Sequence, residues 1–247
     1  MPEETTVTAA VLVVGDEILS GRTRDQNINY IAAHFTGIGI RLQEVRVVGD
    51  ETTSIVTAIN ELRARYAYVV TTGGIGPTHD DITAEAVAQA FGVELEMNTQ
   101  ARELLEAYFA KRQIESTPAR LRMARIPRGA ALIENTISIA PGFMIDNVIV
   151  LAGVPDIMQV MLDAVTPRLA SGKKMQSVTI AIARVEGDVA DLFAVHQQAF
   201  PDVAMGSYPS FSENGFNTQL VLRATDSARL EAARQGLERK LKARGFL

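Results

Sequence analysis

The stretch AYVVTTGGIGPTHDDITAEAVAQAFG, residues 67–92, decides how this chain is expected to fold. It opens with the apolar segment Ala67–Thr72, crosses the loop Thr71–Asp81, and continues as Asp81–Phe91, where apolar residues recur at helical spacing before Gly92. A buried strand followed at once by a helix is the unit from which parallel sheets are built. The stretch therefore predicts a strand, a loop at the carboxyl edge of a sheet, and a covering helix.

The same alternation of strand and helix precedes this stretch. Val7–Val14 is a nearly continuous apolar run, Asn27–Thr36 has helical spacing, and Ile40–Val48 returns to a strand pattern. Asp50 is expected to cap the helix that follows. This βαβαβα order predicts an α/β fold whose mostly parallel sheet carries helices on both faces.

The pattern changes after the linker Ser171–Lys174, which predicts two domains, residues 1–170 and 175–247. The second segment reads strand, helix, strand, strand, helix, and its last two strands are Val203–Tyr208 and Asn217–Ala224 around a turn-rich stretch. A βαββα order of this length is typical of a small α+β domain.

Composition excludes several classes of function. The chain has no cysteine and only three histidines among its 247 residues, which rules out thiolate chemistry and argues against a zinc site. The net charge of −5 is unfavourable for binding nucleic acid. No apolar run approaches the roughly 20 residues of a membrane helix, and the start MPEETTV does not resemble a signal peptide. We therefore expect no nucleic-acid partner, no membrane and a cytoplasmic location.

Glycines and acids follow several of the predicted strands, at Gly15-Asp16-Glu17, Gly49-Asp50, Gly73-Gly74 and Gly153. Because the carboxyl ends of parallel strands share one edge, where open α/β sheets bind ligands, these residues are expected to meet in one crevice. Three glycines and a proline in one loop exceed what packing requires, which favours a phosphate-binding loop beside a helix N-terminus. The expected ligand-binding residues are Gly15, Asp16, Asn27, Thr72, Gly73, Gly74, Gly76, Pro77, Thr78, Gly142, Gly153 and Pro155.

Two adjacent acids end the loop. They would repel a phosphate unless a cation intervened, so a divalent metal, Mg, Mn, Co or Ni, is predicted on Asp80 and Asp16. Asp81 is expected to cap the helix, and Asp80, Asp81 and Glu17 are the candidate catalytic acids. His79 either reaches the ligand or lies idle at the surface.

The motifs GDEILSG (residues 15–21), VVGD (47–50), TTGGIGPTHDD (71–81), APGF (140–143) and AGVP (152–155) together resemble the molybdopterin-binding (MoaB/MogA-like) domain family. Within it, residues 7–169 are most similar to the N-terminal part of the competence/damage-inducible protein A (CinA) group. The resemblance implies a three-layer α/β/α fold, followed by the small domain that those proteins also carry. The amidase domain of full-length CinA-like proteins is missing from the sequence, so its activity is not expected.

The resemblance also implies a phosphorylated small-molecule partner and suggests a homo-oligomer, for which we expect a dimer. CinA-like domains are associated with metal-dependent hydrolysis of ADP-ribose, a related domain with FAD pyrophosphatase activity, and the molybdenum-cofactor branch with molybdopterin. Three hypotheses follow: a metal-dependent nucleotide pyrophosphatase, a non-catalytic molybdopterin or pterin-phosphate binding protein, and an interaction protein that keeps the fold without activity. The chain departs from the CinA-like pattern at Asp25-Gln26, Ser138-Ile139 and Ala152, which could reshape the pocket.

Overall fold

The computed structural model describes residues 6–212 and 215–247. The acidic start of the chain and two residues of the expected turn, 213 and 214, lie outside these ranges. The chain divides into two compact units, the first ending at Gly172 and the second spanning Lys173–Leu247.

The first unit is built on one six-stranded sheet with helices on both faces. Along the chain its elements are β1 (Thr8–Val14), α1 (Asp16–Leu19), α2 (Asn27–Ile38), β2 (Arg41–Val48), α3 (Thr52–Arg65), β3 (Tyr68–Thr72), α4 (Thr83–Phe91), β4 (Leu95–Met97), α5 (Thr99–Lys111), α6 (Pro118–Leu121), β5 (Arg125–Pro127), β6 (Ala131–Ile133), β7 (Gly142–Ile145), β8 (Val148–Leu151) and α7 (Pro155–Val165). The strand order in the main sheet is β2-β1-β3-β8-β7-β6, and β4 pairs with β5 in a separate two-stranded sheet.

The four strands β2, β1, β3 and β8 run parallel, and β7 is antiparallel to β8. Both faces of β1, β3 and β8 are buried, which explains why these three strands are rich in apolar residues, whereas the edge strand β2 alternates exposed and partly buried residues. One face packs against α3, α4 and α5, and the other against α2 and α7. The predicted three-layer α/β/α fold with a mostly parallel sheet is therefore confirmed.

Neighbouring residues of β3 illustrate this two-sided burial. Val69 belongs to the core beneath α3 and α4, whereas Val70 belongs to the core beneath α2 and α7. Since side chains alternate along a strand, Thr71 faces the first core and Thr72 the second. Both threonines are strand residues, so the connecting loop begins at Gly73.

Two predicted helix caps are wrong. The N-cap of α3 is Glu51, whose carboxylate accepts from the amide of Ser54, and not Asp50. The helix α4 begins only at Thr83, with Ile82 at its N-cap, so Asp81 does not cap it. Asp50 accepts instead from the amide of Asp16, and Asp81 accepts from the amide and hydroxyl of Thr78, a competition between partners that sequence spacing does not resolve.

The second unit has the predicted order, with β9 (Gln176–Ile182), α8 (Glu186–Ala199), β10 (Ala204–Ser212), β11 (Gly215–Ala224) and α9 (Ser227–Ala243). Its antiparallel sheet has the order β10-β11-β9. Buried residues from this sheet and both helices form one separate core, which includes Val189, Leu220 and Leu237. The strand β10 extends to Ser212, so much of the stretch predicted as turn is strand.

No helix within the described residues is both long enough and apolar enough to cross a membrane.

Candidate ligand-binding site

The ends of three parallel strands meet closely at one edge of the main sheet. A Cβ atom placed on Gly73, after β3, would lie well inside 3.0 Å of the Val14 carbonyl oxygen, at the end of β1. A Cβ atom on Gly153, after β8, would lie 3.2 Å from Gly73 Cα. Only glycine permits this approach at residue 73, where φ is also +100°. The crevice expected from the dispersed glycines therefore exists.

The loop after β2 joins the same edge. The amide of Gly15 donates to the carbonyl of Val48 at 3.0 Å, and the amide of Asp16 donates to Asp50 Oδ2 at 2.9 Å. Asp50 thus connects two loops instead of capping a helix. The side chain of Asp16 lies against Gly49, where any added Cβ atom would clash with its carboxylate.

A pocket of about 140 Å³ opens between these strand ends. Its lining combines residues from four segments of the chain: Val13, Val14, Glu17, Ile18, Thr23, Arg24, Asp25, Gln26, Asn27, Thr72, Gly73, Gly153 and Pro155. Six of the residues predicted from sequence are among them, namely Glu17, Asn27, Thr72, Gly73, Gly153 and Pro155. Thr23 and Arg24, which follow the short helix α1 and show no recognisable spacing, had no role assigned from the sequence, whereas Gln26 was noted there only as a departure from the CinA-like pattern.

Two polar side chains of this pocket are buried without a partner. Asn27 is 4% exposed and donates its Nδ2 hydrogen to the Gly153 carbonyl at 2.8 Å, but its Oδ1 accepts from no described residue. Thr72 is 1% exposed, and its hydroxyl is likewise unpaired within the described chain. Buried polar atoms are almost always hydrogen-bonded, so these two offer hydrogen-bonding positions to a ligand that enters the pocket.

The loop itself is held by hydrogen bonds from both sides. Thr83, at the start of α4, donates its hydroxyl to the Gly73 carbonyl at 3.0 Å and its amide to the Gly74 carbonyl at 3.0 Å. Asp81 accepts from the amide and the hydroxyl of Thr78, at 2.8 and 2.5 Å. The sequence analysis did not single out Thr83, although its position at the first turn of the helix is where such a contact is possible.

These bonds leave a run of backbone donors free. No described residue accepts from the amides of Gly74, Ile75 and Gly76. Gly73 and Gly74 both have positive φ, at 100° and 66°, which turns successive amides toward a common side. A concave run of free amides beside a helix N-terminus is a favourable place for an anion.

A second, smaller pocket lies on the α4 side of the loop. It is lined by Gly74, Ile75 and Gly76 together with Arg122 and Arg125. Arg125 forms an ion pair with Glu85 at 2.6 Å. Cationic side chains therefore line the same pocket as the three residues whose amides are free.

The predicted catalytic and metal residues are not all in the pocket. Glu17 lines it, whereas Asp80 and His79 lie at the exposed end of the loop, with side chains 62% and 97% exposed. The neighbouring Thr78 side chain and the backbone amide of Asp80 hold the pKa of the Asp80 carboxyl below its usual value. Among residues 6–212 and 215–247, no group of three or more acids or histidines is arranged to hold a metal ion.

The remaining predicted residues differ in how they relate to the pocket. Gly142 is the first residue of β7, and a Cβ atom there would lie 2.5 Å from the Val150 carbonyl, which gives this glycine a packing role. A Cβ atom on Gly76 would lie 2.6 Å from the Asp81 carboxylate, so this glycine lets the loop close. Pro77 and Thr78 form the exposed tip of the loop.

The fold and this edge of the sheet define a class, a three-layer α/β protein with a ligand pocket bordered by a glycine loop. Comparison with family models gives the particular family: residues 10–171 match the probable molybdopterin binding domain. The chain belongs to this family, as its motifs predicted. Residues 174–247 match the family model described as FAD synthase, middle domain.

Individual relatives agree with this assignment. The chain is 30% identical over 267 residues to a probable FAD synthase of Caenorhabditis briggsae, covering 98% of this chain and 51% of the relative. It is 36% identical over 250 residues to a CinA-like protein of Citrifermentans bemidjiense, covering 95% of this chain and 58% of the relative. The chain thus spans about half the length of these curated relatives.

Among solved structures, the protein CinA with unknown function from Thermoplasma acidophilum superposes with a TM-score of 0.62. It is 34% identical, and the match covers 66% of this chain and 99% of that one.

Proposed function

We propose that this chain binds a nucleotide built around a pyrophosphate, of the ADP-ribose or FAD type, and hydrolyses the pyrophosphate with a divalent cation. The observation that carries the proposal is the combination of free amides at Gly74, Ile75 and Gly76 with the unpaired polar floor of the adjacent pocket. The amides suit phosphate oxygens, and the pocket suits the neutral part of the same ligand. The FAD synthase names among the relatives support a nucleotide as ligand.

A divalent cation fits this site only if the protein supplies few of its ligands. Since the described residues offer no cluster of three ligands, a cation would rest on one or two carboxylates and take its other oxygens from the substrate phosphates. Asp80 is the first candidate, because its carboxylate is exposed at the loop tip and has a lowered pKa. Asp16 is the second predicted ligand. When bound, such a cation would neutralise charge on the phosphates.

The chain's own residues divide the remaining tasks. The loop amides hold one phosphate and would stabilise charge that develops on its oxygens. Glu17, in the pocket lining, is the carboxylate that we propose accepts a proton from an attacking water. Asp81 is committed to Thr78, so its task is to keep the loop in shape.

The test is a hydrolysis screen of the purified chain with ADP-ribose and FAD, each with Mg, Mn, Co or Ni. We expect AMP release that depends on the metal. The substitution Asp80→Ala should abolish it, whereas Glu103→Ala, at an exposed acid of α5 outside both pockets, should not. Absence of AMP with every substrate and metal would refute the proposal.

The absence of a three-ligand metal cluster within the described residues favours one alternative, a site that binds a pterin phosphate without turnover. The same loop amides and pocket would hold such a ligand. Calorimetry with a pterin phosphate separates the two functions: tight binding without AMP release from any dinucleotide supports the alternative, and absence of binding removes it.

A further inference from the structure

The polar lining of the pocket between the ends of β1, β3 and β8 contains carboxylates, one arginine, amides and hydroxyls. The Nδ2 atom of Asn27 is fixed by its bond to the Gly153 carbonyl, since the reversed amide would set two oxygens against each other. Asn27 Oδ1 is therefore an acceptor that needs a donor. Glu17 and Asp25 add carboxylates to the same lining. A phosphate group, which offers only acceptors and negative charge, can pair with Arg24 but not with Asn27 Oδ1.

We propose that this pocket recognises the ribose hydroxyls of the bound nucleotide, through Thr72 Oγ1 and Asn27 Oδ1 at its floor. The inference rests on the proposed nucleotide-binding function and specifies which part of the nucleotide enters the pocket. A ribose hydroxyl donates to Asn27 Oδ1, and a second hydroxyl exchanges a hydrogen bond with Thr72, which can donate or accept. The phosphates remain at the amides of Gly74, Ile75 and Gly76.

The lining favours the sugar over the base. Among the described residues that line the pocket, none is aromatic, and the apolar ones are small or branched: Val13, Val14, Ile18 and Pro155. A purine, pterin or flavin ring is usually held by stacking on an aromatic side chain. Most of the other lining residues are polar, which suits a hydroxyl-rich ring.

Water does not reach the two unpaired atoms, because each has almost no accessible surface. A ligand hydroxyl would therefore reach them only by displacing other side chains of the lining, among which Glu17, Arg24 and Gln26 are exposed. The unpaired atoms gain their first partners in that step, so the hydroxyls should contribute strongly to affinity.

The chain provides a matched pair of variants. Thr71 and Thr72 are adjacent in β3, both are buried, and both hydroxyls are unpaired within the described residues. Only Thr72 lines the pocket, because Thr71 faces the opposite core. Valine has the same shape as threonine and suits a strand, so Thr72→Val and Thr71→Val should both fold.

The experiment measures binding of ADP and of 2′,3′-dideoxy-ADP to the full chain by calorimetry. The wild type and Thr71→Val should bind ADP at least about tenfold more tightly than the dideoxy analogue, a ratio within the range for hydrogen bonds to unpaired groups. In Thr72→Val the ratio should fall to about threefold or less, because the affinity for ADP alone decreases.

Equal binding of the two nucleotides by the wild type would overturn the ribose assignment while leaving nucleotide binding intact. A base in the pocket would give that equal ratio together with weaker binding of both nucleotides by Thr72→Val. If neither nucleotide bound, the proposed function would fail along with the inference. A ratio that fell equally in Thr71→Val and Thr72→Val would also overturn it, since the effect would then come from the strand and not from the pocket.

Discussion

Replacing Gly73 with alanine should disrupt the joint between β1 and β3 that forms one side of the pocket. The new Cβ atom would lie well inside 3.0 Å of the Val14 carbonyl oxygen, whereas ordinary contacts begin at 3.4 Å. Neither atom can move away at little cost, because the carbonyl oxygen belongs to the backbone of β1 and the Cβ atom is bonded to the backbone of residue 73. The residue also has φ of +100°, which an L-residue rarely adopts.

A second glycine separates the effect of the clash from the effect of the positive φ. Gly92 ends α4 with φ of +64°, but a Cβ atom there would meet nothing within 4 Å. A left-handed conformation costs about 1–2 kcal/mol for alanine, and the stiffer unfolded chain returns about 0.4–1 kcal/mol. We therefore expect Gly92→Ala to cost about 1 kcal/mol of unfolding free energy.

For Gly73→Ala the clash adds to this conformational cost. If the clash were relieved only by opening a backbone bond angle by about 15°, the cost would be about 4 kcal/mol. A backbone shift shared between both strands would cost less. The expected total is about 3–5 kcal/mol. The stability of both variants is measured by urea unfolding of the full chain, followed by circular dichroism. The second unit is the same in both variants, so its contribution to the signal does not change. Two variants of equal stability would refute the close approach of the two strand ends.

Three further predictions concern other residues. Thr71→Val should raise the unfolding free energy by about 1 kcal/mol in the same assay, since it removes a buried unpaired hydroxyl; a loss of stability would mean that the hydroxyl has a partner. Asp81→Asn should speed hydrogen exchange at the Thr78 amide while leaving the helix α4 protected, because Asp81 accepts from Thr78 and does not cap the helix; exchange that spread through the first turn of α4 would contradict this. Burial lowers the pKa of His196 below its ordinary 6.5, so the folded chain binds fewer protons than the unfolded chain and should lose stability as the pH falls below about 6.5. Urea unfolding at pH 7.5 and 5.5 checks this, and His196→Gln should remove that part of the pH dependence.

The sheet and its crevice could be predicted because buried parallel strands have a simple sequence pattern. Strands buried on both faces read as apolar runs, and their carboxyl ends must share an edge, so Gly15, Gly73 and Gly153 were expected to meet. The structure brings Gly73 against Gly153 and against Val14, the residue that precedes Gly15.

The local roles of the acids could not be predicted in the same way. Asp50, Asp80 and Asp81 are all suitable caps by residue type, whereas the observed cap Glu51 is not a preferred type. Which hydrogen bond each acid accepts depends on the direction of the neighbouring backbone. Asp50 contacts the Asp16 amide across 34 residues of sequence, a partner that only the folded sheet brings within reach.

One property of the pocket floor, its unpaired polar atoms, could not be predicted from the sequence. Thr72 and Asn27 were predicted as ligand residues, but their unpaired atoms become visible only when every nearby donor and acceptor has been placed. The short strands β4, β5 and β6 were missed because three residues are too few to show a period.

The most direct test of the proposed function is the rate of AMP release from ADP-ribose by the wild type and by Asp80→Ala, each with and without Mn. We predict release by the wild type only when the metal is present, and none by the variant, whose circular dichroism should match the wild type. AMP release at the wild-type rate by Asp80→Ala, or none by the wild type with any of the four metals, would contradict a pyrophosphatase centred on the Gly73–Asp81 loop.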